Sequence, residues 1–185
     1  MKHLQQLIVA ALLLTVCSGC ILTPRSSKET TYYDLANPQS AQSANVLHIG
    51  SVENATSAQS RMFFRLQDNR IVQDSLNCWI QPPENMLKRY FDQRFKLTGN
   101  IDTAKLVDLR CTINAFEFDM IKSEATVSVK CIFRQDNKRQ IAQVTASEKI
   151  TSRQPHELAK AMNVAVEKLS KKIAAIAENL HKSSK

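Results

Sequence analysis

Residues 107–146, VDLRCTINAFEFDMIKSEATVSVKCIFRQDNKRQIAQVTA, decide the fold. Val107, Leu109, Cys111, Ile113 and Ala115 alternate with Asp108, Arg110, Thr112 and Asn114, the period-two pattern of a strand with one buried face. The phase then slips. Phe116, Phe118 and Met120 are apolar, with Glu117 and Asp119 between them, which predicts a β-bulge near Ala115-Phe116. Ala125, Val127, Val129, Cys131 and Phe133 alternate with Thr126, Ser128 and Lys130, and Ala142, Val144 and Ala146 alternate with Gln143, Thr145 and Ser147. Gln135-Asp136-Asn137-Lys138 supplies turn chemistry between them. Three consecutive strands on short connections make an antiparallel meander.

Upstream, Thr31-Tyr32-Tyr33-Asp34-Leu35 precedes a polar stretch, and Val46–Val52 reads as a strand followed by a polar loop, Glu53–Ser60. Met62–Leu66 and Ile71–Trp79 flank Gln67-Asp68-Asn69-Arg70 and read as a hairpin. Pro82-Pro83 suits the first turn of a helix, where a missing N–H loses no partner. From Glu84, Met86, Leu87, Tyr90, Phe91 and Phe95 fall at helical spacing, with an end expected near Thr98-Gly99. Downstream, Leu158, Met162, Ala165, Leu169, Ile173, Ile176 and Leu180 repeat at steps of four and three, predicting a helix over Pro155–His181 flanked by Lys160, Lys168, Lys171 and Lys172. That seam fits a coiled coil or packing on the sheet, and its length after three strands favours the sheet. The expected class is α/β: a single-domain sandwich in which a mixed β-sheet (strand, hairpin, three-strand meander) carries two long helices.

The N-terminus has a different character. Lys2 precedes an apolar run of ten residues, Leu7–Val16, too short to span a bilayer but suited to a signal peptide. Cys17-Ser18-Gly19-Cys20 follows and looks like a bacterial lipobox, with small residues before a thiol that takes a diacylglyceryl group. Residues 1–19 are therefore expected to be a signal peptide, 20–31 a lipidated tether, and 32–185 the folded domain. Several acyl chains on Cys20 would hold tightly, since each buried methylene contributes about 0.8 kcal/mol. Ile21, rather than an aspartate that would favour inner-membrane retention, points to the periplasmic face of the outer membrane.

The bulk composition narrows the functional classes. Three glycines in 185 residues argue against a glycine-rich phosphate loop. The net charge of +8 is spread over scattered lysines and arginines, which suits a solvated surface and leaves room for anionic headgroups or an acidic partner. Nucleic acid is not an expected partner outside the cytoplasm. Cys78, Cys111 and Cys131 remain in the domain. Cys78, beside Trp79, reads as a small buried hydrophobe. Cys111 and Cys131 share the apolar parity of neighbouring strands and are a candidate disulfide in an oxidising compartment. Whether they lie directly opposite depends on the turn near Lys122-Ser123, which sequence does not fix.

In order and spacing, the elements resemble the ABC-type transport auxiliary lipoproteins, a PqiC-like, DUF330-type family of outer-membrane lipoproteins. The carriers are the lipobox at Cys20, Tyr33-Asp34-Leu35, the strand around Val46–Val52, Phe63-Phe64-Arg65, Asn69-Arg70-Ile71, Trp79, a helix, a meander and a long last helix. The chain departs from the family in the loop Ser51–Ser60, which has no proline and no Tyr-Leu pair, and in Asn77-Cys78 before the tryptophan. The resemblance implies an accessory subunit of an intermembrane lipid transport system. Its expected partners are an MCE-domain membrane protein, an ABC permease and an ATPase, with a homo-oligomer also open.

Catalytic signals are sparse. His48, His156 and His181 stand apart from other candidate ligands in sequence, and no Gly-x-Ser-x-Gly elbow occurs. The expectation is a non-enzyme with no cofactor and no metal. A protein of this kind acts by contact, and Arg65, Arg70 and Trp79 in the hairpin are the candidate interface. Arg65 would otherwise pair with a nearby acid, and Trp79 would otherwise anchor the core. The competing function is a structural or assembly lipoprotein bracing another envelope protein, of the lipopolysaccharide-assembly or Tol type.

Overall fold

The computed structural model describes residues 29–38, 47–97 and 106–183. The signal peptide, Cys20, Ile21, most of the tether, Val46 and Thr98-Gly99 lie outside the described residues. The chain runs β1 (Thr31–Tyr33), β2 (Leu47–Asn54), β3 (Arg61–Arg65), β4 (Ile71–Trp79), α1 (Pro83–Arg94), β5 (Val107–Asp119), β6 (Glu124–Gln135), β7 (Lys138–Lys149) and α2 (Pro155–Lys182). β1 therefore takes the last residue of the expected tether.

The strands form one mixed sheet in the order β1-β4-β3-β5-β6-β7, with β2 also paired to β5. Thirteen residues make β5 long enough to hold two strands on one edge. β2 runs parallel to it along Val107–Ile113, and β3 runs parallel to it along Phe118-Asp119. The other edge carries β6 and then β7, both antiparallel, as the alternation predicts. The bulge falls between Ile113 and Ala115, slightly before its expected place. Three turns among the described residues use left-handed residues, the first being Asp68, at φ 66°, between β3 and β4. Asp136, at φ 50°, opens the two-residue turn of the β6–β7 hairpin, where a positive φ matches the strand twist. In the β5–β6 turn, Ser123 has φ 54°, and the Asp119 carboxylate accepts the Ile121 and Lys122 N–H groups, both at 3.0 Å. Burial pushes the Asp119 pKa up, but those N–H bonds outweigh it and hold it below its ordinary value.

Both helices lie on one face of the sheet and share its core. Leu109, Ile113, Phe118, Val127, Val129 and Phe133 are fully buried there. α1 packs on β2, and α2 packs on β6 and β7. α1 ends at Arg94, short of Thr98-Gly99. Phe95 closes it, donating its N–H to the Phe91 carbonyl at 2.8 Å while its ring stays buried beside Phe91 at 5.9 Å. In α2, Leu158, Met162, Ala165, Leu169 and Ile173 are buried as expected, but Ala177 then replaces Ile176 at the centre of the stripe. That drift is the 3.6-residue period of a straight helix on a sheet, and no 3.5-residue coiled-coil seam is kept. Among the described residues, no helix is long and apolar enough to cross a membrane.

Candidate functional site

The hairpin β3–β4 carries the candidate interface residues, and its two faces differ. On the inner face, Trp79 is 1% exposed and sits against Phe116 and Phe118 at centroid distances of 5.3 and 6.2 Å. As an interface residue it is therefore corrected: it anchors the core and offers no surface to a partner. Arg65 is corrected in part. Its guanidinium grips Glu117 of β5 through two bonds, Nε–Oε1 at 2.5 Å and Nη2–Oε2 at 2.9 Å, so it fastens β3 to β5. The hydrogen bond to Glu117 raises the Arg65 pKa against the opposing effect of burial, keeping the cation charged. Arg70 lies at the same end of the hairpin, where Arg65 pairs with Ile71. Its side chain is exposed and carries no ion pair among the described residues, so of the three candidates it is the one free to engage a partner.

The outer face of the hairpin is shaped by two polar devices that periodicity does not signal. β4 bulges widely, so that Arg61 pairs with Cys78 but Phe63 pairs with Gln73. Asp74 fills the bulge, its carboxylate accepting the Leu76 and Asn77 N–H groups at 2.8 and 3.0 Å and the Asn77 side chain at 2.8 Å. Burial pushes the Asp74 pKa up, yet these bonds win and hold it below its ordinary value. The loop after β2 is tied by Asn54. Its amide donates to the Ala58 carbonyl at 2.7 Å and to Glu84 of α1 at 3.0 Å, and its carbonyl accepts from the Thr56 N–H at 2.9 Å. The signal that finds it is local: an asparagine at a strand end with a threonine two residues on is turn chemistry.

This loop roofs a small apolar patch of Ala58, Phe63 and Cys78, each less than a tenth exposed and outside the main core. Two open clefts flank Phe63. One, of about 470 Å³, is lined by Tyr32, Ser57, Arg61, Gln73 and Cys78. The other, of about 200 Å³, lies between Thr56, Ile71, Asn114 and the Arg65–Glu117 pair. Their polar lining can hold a partner's side chain, but neither of these two clefts gathers a nucleophile with a base. Among the described residues no group of three His, Cys, Asp or Glu side chains is placed to hold a metal.

Cys111 and Cys131 are direct partners across β5–β6, their Sγ atoms 3.2 Å apart as free thiols. Hydrogen bonding to Cys131, then burial, push the Cys111 thiol far above its ordinary range. Cys78 is a separate buried thiol.

No protein-family model matches the chain, and no curated protein matches it significantly. Solved structures do share its fold. An uncharacterised protein, 14% identical, superposes with a TM-score of 0.64 over 82% of this chain and 99% of its own. A Xanthomonas campestris protein of family DUF330, 16% identical, gives 0.63 over 88% of this chain and 95% of its own. The likeness is one of fold, and it joins the chain to the DUF330 architecture at that level.

Proposed function

We propose that this chain is a periplasmic lipoprotein, anchored through Cys20 in the outer membrane, that serves as a non-catalytic accessory subunit of an ABC/MCE-type intermembrane lipid transport system. The observation that carries the reading is a lipobox, Ser18-Gly19-Cys20, in front of a domain with the DUF330 fold. A lipid at Cys20 keeps the domain at the bilayer surface, and Ile21 directs it to the outer membrane. On this reading its contribution is contact, made to an MCE-domain protein of a system that also has an ABC permease and an ATPase.

Labelled palmitate tests the anchor. Wild type should incorporate it and sediment with outer membranes, whereas Cys20→Ala should do neither. Equal labelling of the two would overturn the anchor. Affinity purification from cells should recover the MCE-domain partner with the wild-type protein. Recovery of lipopolysaccharide-assembly or Tol components in its place would favour the bracing lipoprotein.

A further inference from the structure

β7 is a twelve-residue strand with one unpaired edge. Gln135 and Lys138 close its two-residue turn, and such a closing pair exchanges both backbone bonds. Every second residue from Arg139 onward therefore points its N–H and C=O away from β6. Two of these positions are covered. Lys172 reaches the Thr145 carbonyl at 2.7 Å, and Lys168 reaches that of Ser147 at 3.3 Å, both from α2. Among the described residues, nothing bonds the outward backbone groups of Arg139, Ile141 and Gln143.

The side chains beside this open edge are unusual. On the sheet face away from the helices, Arg139 lies opposite Arg134, Ile141 opposite Ile132, and Lys130 next along β6. Ile141 is 52% exposed. None of the cations Lys130, Arg134 and Arg139 forms an ion pair among the described residues; Asp108 stands opposite Arg134 in the β5–β6 register, but its carboxylate is engaged by His48 and Arg110. Like charges directly opposite on neighbouring strands destabilise a sheet. Here that cost sits beside the exposed Ile141, its half-buried partner Ile132 and a free strand edge, and among the described residues no ion pair offsets it.

We propose that the segment Arg139–Gln143 receives an extended, acidic segment of a partner protein as an added strand. Its backbone would pair with the open edge, its carboxylates would meet Arg134 and Arg139, and an apolar side chain would cover Ile141. A second copy of this chain is disfavoured because it would bring the same cations together. A bilayer supplies anions but no backbone partners for the edge. The role of this surface rests on the accessory-subunit reading, but the binding does not, so the peptide test below and the palmitate test above can fail independently.

The probe is a labelled peptide alternating Glu and Val, titrated against the full-length chain by fluorescence anisotropy. It should bind more tightly than the peptide alternating Lys and Val, and the affinity should fall as salt is raised. The double change Arg134→Glu/Arg139→Glu should weaken binding about tenfold or more while leaving the far-ultraviolet dichroism unchanged. Two further peptides, N-methylated at every second amide in opposite phases, test backbone pairing without touching the protein. One of the two phases should lose binding. The proposal is overturned if the Lys–Val peptide binds as well, since the cations would then only guard the edge against aggregation. It is overturned if both methylated peptides bind like the parent. Binding to phosphatidylglycerol vesicles with none to the Glu–Val peptide overturns it too, in favour of a membrane-facing surface.

Discussion

The two faces of β6 lie one side-chain length apart and follow different rules. Ala125, Val127, Val129, Cys131 and Phe133, facing the helices, are completely buried. Facing away, Lys130 and Arg134 are exposed, and Ile132 is only half-buried. The inner face is specified by volume and by dryness, so any fold of this pattern needs it. The outer face is specified by charge, turn chemistry and edge protection. The same contrast runs through β4, where Trp79 points inward and its neighbour Cys78 points outward under the 55–60 loop.

The largest test of that contrast is Trp79→Ala. It removes the side chain wedged between Phe116 and Phe118, and a change of this kind in a core costs about 3–5 kcal/mol. The matching outer-face change, Ile141→Ala, should stay within about 0.5 kcal/mol, since the isoleucine already meets water. Urea unfolding of both variants measures the gap. Similar midpoints for the two would break the distinction between the faces.

The inner face also holds the cysteine pair. Cys111 and Cys131 enclose a loop of modest length, and a disulfide there would stabilise the chain by about 3 kcal/mol. Under oxidising conditions neither thiol should be alkylated until reductant is added, as read by mass spectrometry. Alkylation of both in the unreduced, unfolded chain would rule the bond out. In the reduced protein the pair gives a pH dependence of definite sign. The unfolded thiol of residue 111 ionises above about pH 8.5, whereas the folded one, with its raised pKa, keeps its proton. The unfolded state then binds fewer protons, so stability falls as pH rises, at about 1.4 kcal/mol per pH unit for this one thiol. Cys111→Ala should flatten that slope, and oxidation to the disulfide should flatten it too. A reduced wild type whose stability is level through this range would count against the buried, un-ionised thiol.

Legibility in the sequence follows the same division. The meander, its bulge, the α2 stripe and the turn at Asp136-Asn137 are local patterns, and they stand within a residue or two of where periodicity and turn chemistry put them, the bulge just before Ala115 and Ala177 taking the place of Ile176. The parallel pairing of β2 and β3 on the same edge of β5 joins segments dozens of residues apart, and no local period encodes it. Asp74 in its bulge reads as an ordinary polar residue until the backbone it binds is known, whereas Asn54 at its strand end carries a local turn signal but no hint of its partner Glu84. Arg65 shows how a site residue is misjudged. Sequence gives a strand-end cation, and only the β3–β5 register brings Glu117 beside it.

Arg65 therefore sharpens the boundary between the faces. Its side chain is 31% exposed and that of Glu117 is 12% exposed. Truncation to Ala leaves a mostly buried carboxylate without its cation, at a cost of about 1–2 kcal/mol after allowance for solvent. Arg65→Lys should recover part of this, because one ammonium cannot reproduce the two parallel bonds. A Lys variant as stable as wild type would mean that charge alone matters there.

The smallest effect on stability, and the most informative for function, belongs to Arg70. It is exposed at the tip of the hairpin, and truncation should change stability by no more than about 0.5 kcal/mol. If the tip touches a partner, Arg70→Ala should still reduce recovery of that partner, because an interfacial arginine often contributes more than about 1 kcal/mol. The cationic edge of β7 lies at the opposite end of the strand order, so the two surfaces can be separated. Arg70→Ala should leave binding of the Glu–Val peptide untouched, and Arg134→Glu/Arg139→Glu should leave the hairpin tip untouched. Partner recovery lost only with the β7 double change would assign contact to the outer sheet edge. Recovery lost only with Arg70→Ala would assign it to the hairpin, with β7's charges serving solubility and edge protection.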